Sequence, residues 1–209
     1  MSQFFEIHPE TPQPRLIRQA ARIIDDGGVV VLPTDSCYAI GCHLDDKNAA
    51  ERLRRLRDVD PEHNFTLVCR DLSEISNYAR IDKSDYRLVK HLTPGPYTFI
   101  LRATHEVPRR LQHPKRKTIG IRVPDNAICQ ALLTELGQPL MTSTLLLPGD
   151  DYPMTDAVEI RERLEHDVDL VIDGGNCGME PTTVVRLDND EVEIVRHGRG
   201  PVDFLETPA

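Results

Sequence analysis

Three short apolar runs in this sequence are bordered by side chains that carry hydroxyl groups. The first run, Val29–Leu32, is followed by Pro33, which has no N–H to donate and is expected to end a strand. Ligands of α/β sheets bind at the carboxyl ends of central strands, so hydroxyl groups at such places are candidates for binding. An ordinary hydroxyl-rich turn would explain any one of them taken alone. The candidates at the three runs are Thr34, Ser143, Thr144, Thr182 and Thr183.

Arginine side chains add candidate anion-binding groups. Arg55 and Arg57 lie at the end of a predicted helix. There they would either complement the helix dipole or make bidentate hydrogen bonds to phosphate oxygens. The sequence leaves these two explanations open. Arg122 lies inside an otherwise apolar strand, so it needs an anionic partner or a cavity.

A basic segment lies in the middle of the chain, with Glu106 as its only acidic neighbour. Its cationic residues are Arg109, Arg110, Lys115, Arg116 and Lys117. Such a segment is either a solvated loop or the edge of a groove that attracts a polyanion such as RNA. Both interpretations stand at this point.

Several familiar signatures are missing from the sequence. It contains neither of the glycine-rich phosphate cradles, G-x-x-x-x-G-K-S/T and G-x-G-x-x-G after a strand. It also lacks H-E-x-x-H, C-x-x-C and the G-x-S-x-G nucleophile elbow. We therefore expect no structural metal and no protein nucleophile, and catalytic residues of the hydrolase type are not identifiable.

The composition is that of a soluble globular protein, with 39% hydrophobic and 28% charged residues among 209. A net charge of −9 argues against a general nucleic-acid binder but permits a local basic cleft. No apolar run is long enough for a membrane span, and the start lacks the features of a signal peptide. The five widely spaced cysteines favour free thiols in a reducing compartment, so we expect a cytoplasmic protein without a membrane partner.

Hydrophobic periodicity and turn residues predict alternating helices and strands. Helices are expected over about residues 15–26, 46–57, 72–79, 84–91, 126–136 and 157–165. Strands are expected over about 29–32, 65–69, 97–101, 118–124, 139–147 and 168–173, with a hairpin of 182–187 and 191–196. This order predicts an α/β sheet of mixed strand direction.

Several segments together resemble the YrdC-like domain family. They are Pro33–Gly41, Thr93–Leu101, Thr118–Pro124, and Asp173–Gly175 with Pro181–Val185. They follow the family order over about residues 10–200, and the opening Met-Ser-Gln-Phe-Phe is most similar to the YciO branch. The resemblance implies one domain over 1–209 with a core of about 10–200. It also implies a twisted open sheet of mixed parallel and antiparallel strands, with flanking helices and a concave basic cleft.

The best-known activity of that family is synthesis of L-threonylcarbamoyladenylate from L-threonine, bicarbonate and ATP, for the t6A modification of tRNA. The resemblance implies that Thr34 contacts threonine or its carbamate and that Arg55 and Arg57 hold the ATP phosphates, with Mg²⁺ accompanying ATP. Residues implied to complete the pocket are Arg122, Ser143, Thr144, Thr182, Thr183 and Arg196. The carbamate would attack the α-phosphorus directly, so no protein nucleophile is needed.

This sequence departs from the family pattern at a few positions. Arg55 replaces a lysine, Leu146 replaces an asparagine, and Cys69 replaces a histidine, while the loop between Arg57 and Asn64 is two residues longer. We therefore expect the fold and an anion-binding cleft with weak or altered synthase activity. The alternative is a non-catalytic module that binds double-stranded RNA, tRNA or rRNA through the basic segment.

Overall fold

A computed structural model describes residues 1–59, 65–188 and 191–203. Eleven strands of the described residues form one sheet. Its strands are β1 (Gln3–Glu6), β2 (Val30–Leu32), β3 (Ala39–His43), β4 (Thr66–Val68), β5 (Ala79–Arg80), β6 (Tyr97–Ala103), β7 (Thr118–Arg122), β8 (Leu140–Thr144), β9 (Leu170–Asp173), β10 (Thr183–Arg186) and β11 (Glu193–Arg196). The order is β1-β9-β2-β3-β8-β4-β7-β6-β10-β11, with β5 beside β6. Parallel and antiparallel neighbours alternate irregularly, which confirms the predicted mixed sheet.

Six α-helices of the described residues flank this sheet. They are α1 (Pro14–Asp25), α2 (Lys47–Arg57), α3 (Leu72–Tyr78), α4 (Lys83–Leu92), α5 (Ala127–Leu136) and α6 (Ala157–Leu164). Side chains cap several of them as the sequence suggests: Asn126 accepts a hydrogen bond from the N–H of Cys129, at 3.0 Å. Gly137 takes a left-handed φ of 66° and ends α5. All six helices were predicted, with ends that differ by only a few residues.

The apolar run Val29–Leu32 contains β2, and all three residues of that strand are buried. The chain turns at Pro33 and returns as β3, which pairs antiparallel with β2. Sequence reasoning missed β3 because Gly41 interrupts its apolar pattern. It also missed the edge strand β1 and the two-residue β5. The hairpin of β10 and β11 is confirmed as an antiparallel pair, but its tip at Asn189-Asp190 lies outside the described residues.

One face of the sheet carries the larger hydrophobic cluster. Strand residues such as Leu67 and Phe99 pack there with Leu53 of α2, Ile75 of α3 and Ile160 of α6. These side chains are fully buried. This face is therefore sealed by helices.

The opposite face is covered over only part of its width. Val30 and Val68 belong to the smaller cluster, with Ile24 of α1 and with Ile128 and Leu132 of α5. The remaining strands present a different row on this face, because residues paired across a sheet share a face. Ile100 pairs with Gly120, Gly120 with Thr66, and Thr66 with Thr142. No residue of α1 or α5 lines the space above this row, so the sheet here forms the floor of a cavity.

No described helix has the length and apolar character needed to cross a membrane. All five cysteines are free thiols, and four of them are buried. Within the described ranges, no three His, Cys, Asp or Glu side chains group in a way that could hold a metal ion. The lengthened loop predicted between Arg57 and Asn64 includes residues 60–64, which lie outside the described residues.

Candidate functional site

A cavity of about 790 Å³ lies over the uncovered part of the sheet. This volume is typical of sites for nucleotide-sized ligands. Its floor carries hydroxyl groups at alternate strand positions, because every second side chain of a strand points to the same face. These threonines are Thr66, Thr98, Thr118, Thr142 and Thr144. Of the five, the sequence analysis proposed only Thr144 as a site residue; a threonine within a mainly apolar strand was the signal that could have identified the others.

Arg122 lies at the end of β7 and forms a buried ion pair with Asp35, in the turn after β2. A second nitrogen of the guanidinium donates to Ser36 Oγ at 3.2 Å. The other Asp35 oxygen accepts the N–H of Asp125 at 3.0 Å, which ties the two strand ends together. The Arg122 Nε has no partner among the described residues although it is buried. The anionic partner required by the sequence argument is therefore Asp35, and Arg122 also lines the cavity.

Arg57 reaches the cavity from the last turn of α2. Its Nε donates to Ser143 Oγ at 3.2 Å, which brings together two predicted site residues that lie 86 positions apart. Burial lowers the pKa of the Arg57 guanidinium from its usual value. No carboxylate pairs with Arg57 within the described residues, so this half-buried cation has capacity for an anionic ligand.

A third group of polar side chains lies where β6 meets the start of β10. The hydroxyl groups of Thr98 and Thr182 are 2.8 Å apart and form a hydrogen bond. Arg196 donates to the Thr182 carbonyl oxygen through Nε and Nη2, at 3.2 and 2.9 Å. All three residues line the cavity, and burial lowers the pKa of Arg196. Arg196 therefore holds Thr182 in place while remaining at the cavity surface.

The lining contains more guanidinium groups than carboxylates among the described residues. The arginines are Arg57, Arg116, Arg122, Arg186 and Arg196, and the acids are Asp151 and Glu180. Ion pairs with Asp35 and Glu193 neutralise Arg122 and Arg186. The other three arginines have no carboxylate partner in the described part of the chain. A ligand with a phosphate or carboxylate group would meet these cations.

Three predicted site residues are not part of the cavity lining. The Thr34 hydroxyl is used within its own turn, where it donates to the Cys37 carbonyl oxygen at 2.6 Å. Thr183 is fully buried and donates to the Gly200 carbonyl oxygen at 2.6 Å. Arg55 is largely exposed, lies 3.6 Å from the carboxylate of Glu51, and borders a different concavity. Thr34 and Thr183 shape the backbone around the site, and Arg55 faces away from it.

The second concavity has a volume of about 460 Å³ and lies beside α2. Lys47, Arg54, Arg55 and Arg110 are its lining cations. The predicted basic segment thus divides between two places, since Arg110 borders this concavity whereas Arg116 lines the main cavity. Arg109, Lys115 and Lys117 are exposed and line neither.

The departures from the family pattern also have distinct places. Leu146 lines the main cavity and is only partly buried, so an apolar side chain stands where the family pattern has an amide. Cys69 is fully buried, its N–H donates to the Arg122 carbonyl oxygen at 2.8 Å, and burial raises the pKa of its thiol. Leu146 can thus act on a bound ligand directly, whereas Cys69 cannot.

Comparison with known proteins gives this architecture a family. The Sua5/yciO/yrdC family, described as Telomere recombination, matches residues 22–198. The YciO protein of Escherichia coli strain K12 is 56% identical over 202 residues, which are 97% of this chain and 98% of YciO. A threonylcarbamoyl-AMP synthase of Halorhodospira halophila is 27% identical over 179 residues, 85% of this chain and 93% of the enzyme.

Solved structures agree with the sequence comparison. The crystal structure of E. coli YciO has a TM-score of 0.94 and covers 97% of this chain and 98% of its own. P. abyssi Sua5 in complex with L-threonine has a TM-score of 0.89 at 24% identity, covering 98% of this chain and 60% of Sua5; this likeness is one of fold. The chain therefore belongs to the Sua5/yciO/yrdC family and is related to the threonylcarbamoyl-AMP synthases.

Proposed function

We propose that this protein binds ATP together with L-threonine and bicarbonate in the main cavity, with weak or altered threonylcarbamoyl-AMP synthase activity. One observation carries the proposal. The cavity brings Arg57, Ser143, Arg122 and Thr182, from four separate elements, around a volume of about 790 Å³. Relatives named as threonylcarbamoyl-AMP synthases support the choice of reaction, and the threonine-bound Sua5 structure supports the choice of amino acid.

The cavity residues have complementary tasks in this proposal. Arg57 and Ser143 form one hydrogen-bonded unit, which suits phosphate oxygens. A carbamate formed from threonine and bicarbonate attacks the α-phosphorus, and pyrophosphate leaves. Fixed cations stabilise the negative charge that develops on the leaving group, and the threonine hydroxyls of the floor orient the reactants. No protein nucleophile takes part.

Two features of this chain support a low rate. Leu146 offers the ligand no hydrogen bond at a point where it lines the cavity. Arg55 lies outside the lining, so the cavity has one guanidinium where the family pattern provides a lysine and an arginine. Binding without efficient transition-state stabilisation is the expected result, because a charge that is absent from the site cannot act on the leaving group.

Magnesium fits this site only as part of the nucleotide complex. The two cavity carboxylates, Asp151 and Glu180, belong to no metal-holding group among the described residues. Mg²⁺ prefers to keep several waters and to bind through substrate phosphates with one or two carboxylates. When bound, it would neutralise charge on the departing pyrophosphate.

A pyrophosphate-release assay tests the proposal directly. ATP, threonine and bicarbonate are supplied together and then omitted one at a time, and the adenylate product is identified by mass. Release that requires all three, at a low rate, is the expected result. The Arg57→Ala variant serves as the matched comparison and is expected to lose release. Absence of both ATP binding and pyrophosphate release in the parent protein would overturn the proposal.

A second function, RNA binding, is favoured by the position of the basic segment. One loop contributes Arg116 to the main cavity and Arg110 to the second concavity, so a polyanion could contact both places. Phosphate contacts would supply most of the affinity. Replacing the exposed Lys115 and Lys117 by Ala should weaken binding of double-stranded RNA. The slope of log K against the logarithm of salt concentration should become shallower by about 1 for each lysine removed. Arg18→Ala on α1, also exposed, is the control.

A further inference from the structure

Two loops border the mouth of the main cavity. Residues 145–156 connect β8 to α6, and residues 174–182 connect β9 to β10. They are joined to each other, because the N–H of Cys177 donates to the carbonyl oxygen of Thr155 at 3.2 Å. The two loops therefore form one continuous rim.

Tyr152 is the most exposed of the large apolar residues of the first loop. Leu145, Leu147 and Met154 are buried in the main hydrophobic cluster and anchor the loop. Tyr152, between these anchors, is 67% exposed and lines the cavity. A rigidly anchored loop thus holds an aromatic ring at the cavity with most of its surface uncovered.

Met179 occupies the corresponding place on the second loop. It is 56% exposed and also lines the cavity. The preceding Gly178 packs closely on the turn after β2, since a Cβ there would lie 2.8 Å from the Ser36 carbonyl oxygen. The rim thus presents an aromatic and a flexible apolar side chain, from two anchored loops, to one cavity.

Each of these side chains has an acidic neighbour that also lines the cavity: Asp151 beside Tyr152, and Glu180 beside Met179. Neither carboxylate makes a hydrogen bond or ion pair with any other described residue. The part of the lining that the two loops contribute is therefore apolar and acidic, whereas the cations that lack a carboxylate partner in the described ranges, Arg57, Arg116 and Arg196, come from other parts of the chain. A polyanion alone would be complementary only to those cations. A molecule with phosphates at one end and a flat heterocycle with an amino group at the other would be complementary to both parts of the lining.

We propose that Tyr152 and Met179 pack on the faces of a nucleobase and that Asp151 and Glu180 accept hydrogen bonds from its exocyclic amino group. This inference rests on the proposed nucleotide binding and adds a selection rule to it. The rim favours ATP, whose adenine has an amino group, over UTP, whose uracil has a carbonyl oxygen at that place that the carboxylates repel, and over inorganic triphosphate, which has no base. Stacking on an aromatic side chain is tolerant of base identity, so the acids supply the selection.

The absence of tryptophan from the chain makes Tyr152→Trp a specific reporter. The variant is excited at the indole wavelength while ATP, UTP or inorganic triphosphate is added, in EDTA so that metal binding by the acids plays no part. Saturable quenching by ATP, weaker quenching by UTP and none by triphosphate are expected. Equal responses to ATP and triphosphate would overturn the proposal.

Calorimetry on the unlabelled protein gives an independent measurement. Tyr152→Ala should weaken ATP binding by about fivefold or more, and Tyr152→Phe should bind nearly as the parent does. Triphosphate should bind the parent and Tyr152→Ala equally. Tyr86→Ala is the matched control, because Tyr86 is exposed on α4 and does not line the cavity. ATP affinity that is unchanged in Tyr152→Ala would contradict the stacking role.

The acids are tested through the ratio of ATP to UTP affinity. Asp151→Ala combined with Glu180→Ala should bring that ratio close to one, and an unchanged ratio would contradict their role. The parent protein separates the two levels of inference. If it binds none of the three ligands, the proposed nucleotide site and the base selection both fail. If it binds all three equally, the anion site stands and only the selection by the rim is overturned.

Discussion

At the scale of single residues, the pair of Arg122 and Asp35 is a buried ion pair at the edge of the cavity. Both side chains are about nine-tenths buried, and their contact ties the end of β7 to the turn after β2. Breaking a buried pair by removing one partner leaves an uncompensated charge, which typically costs about 3–5 kcal/mol. Arg122 and Thr34 both hydrogen-bond Ser36, so the pair helps to hold the cavity edge there.

We expect Arg122→Leu to lower the free energy of unfolding by about 3 kcal/mol or more, because the Asp35 carboxylate stays buried without its cationic partner. The double variant, Arg122→Leu with Asp35→Asn, should recover much of that loss, since no charge is left buried. Urea denaturation of the parent and both variants measures the difference. If the double variant is as unstable as the single one, the pair is not the source of the stability.

Leu146 gives a second prediction at this scale. Leu146→Asn places an amide at the cavity lining, and a net hydrogen bond is worth about 0.5–1.5 kcal/mol. Adenylate formation should therefore rise about threefold to tenfold if the bond forms in the transition state. The stability cost should be small because Leu146 is only partly buried.

The controls for Leu146→Asn are Leu146→Ala and Arg55→Lys, neither of which should raise the rate. Arg55 is a useful control because it lies outside the cavity lining. Product formation and melting temperature are measured together for all variants. A Leu146→Asn protein that melts like the parent yet makes no more adenylate would show that this position does not limit the activity.

The residue scale also shows what sequence could and could not predict. Arg57, Arg122, Ser143 and Thr182 were expected to share a concavity, and the structure places all four in one lining. Thr34 was expected there too, but its hydroxyl bonds the Cys37 carbonyl oxygen. A hydroxyl group can bond its own turn or a ligand, and the sequence does not distinguish the two.

At the scale of elements, the important feature is that α1 and α5 leave part of one sheet face open. Gly120 of β7 lies on that face, and a Cβ there would be 3.3 Å from Thr66 Oγ1 and 3.4 Å from Thr98 Cγ2. Both neighbours are threonine side-chain atoms, and each would have to shift by a few tenths of an ångström to admit a Cβ. A larger residue at Gly120 would therefore extend into the cavity and leave the backbone of the sheet unchanged.

We expect Gly120→Val to weaken ligand binding at least about tenfold, which corresponds to 1.4 kcal/mol, while the protein remains folded. Valine suits a strand, so its cost should be mainly loss of cavity space. Ile121→Val is the matched control: it is the next residue and faces the sealed core, so it should cost about 0.5–1.5 kcal/mol of stability without affecting binding. For each variant, calorimetry measures ligand binding and thermal melting measures stability. Full binding by Gly120→Val would contradict the position of the floor.

Helices were easier to predict than strands for physical reasons. The six helices have apolar residues at three- to four-residue spacing, and these positions are buried, as at Ile17 and Ile24 of α1. Short strands such as β3 and β5 give too few residues for a period of two to be recognised. The open face was not predictable from single segments, because it results from how far the helices extend over the sheet.

At the scale of the whole molecule, buried thiols connect stability to pH. Burial raises the pKa of Cys37 and of Cys177 to about 11, above the ordinary 9.0. Burial also raises the pKa of Cys42, Cys69 and Cys129. In the unfolded chain these thiols ionise near their ordinary value, so the folded state binds more protons between the two values.

The free energy of unfolding should therefore not vary through these thiols below about pH 9. It should fall as the pH rises through about 11. Urea denaturation at pH 8, 9 and 10 measures this decline. The double variant Cys42→Ala with Cys129→Ala should show a shallower decline, because two of the titrating thiols are gone. A parent protein whose free energy of unfolding is unchanged from pH 8 to pH 10 would contradict the prediction.

The half-covered sheet also has an evolutionary consequence. Along β6 and β7, neighbouring positions face different surroundings: Phe99 and Ile121 lie in the sealed core, whereas Thr98 and Gly120 face the cavity. Substitutions at the first set change the packing of the core, whereas substitutions at the second set change the lining of the cavity. A descendant lineage can thus change the ligand through a few substitutions at every second position, while the residues of the sealed core stay the same.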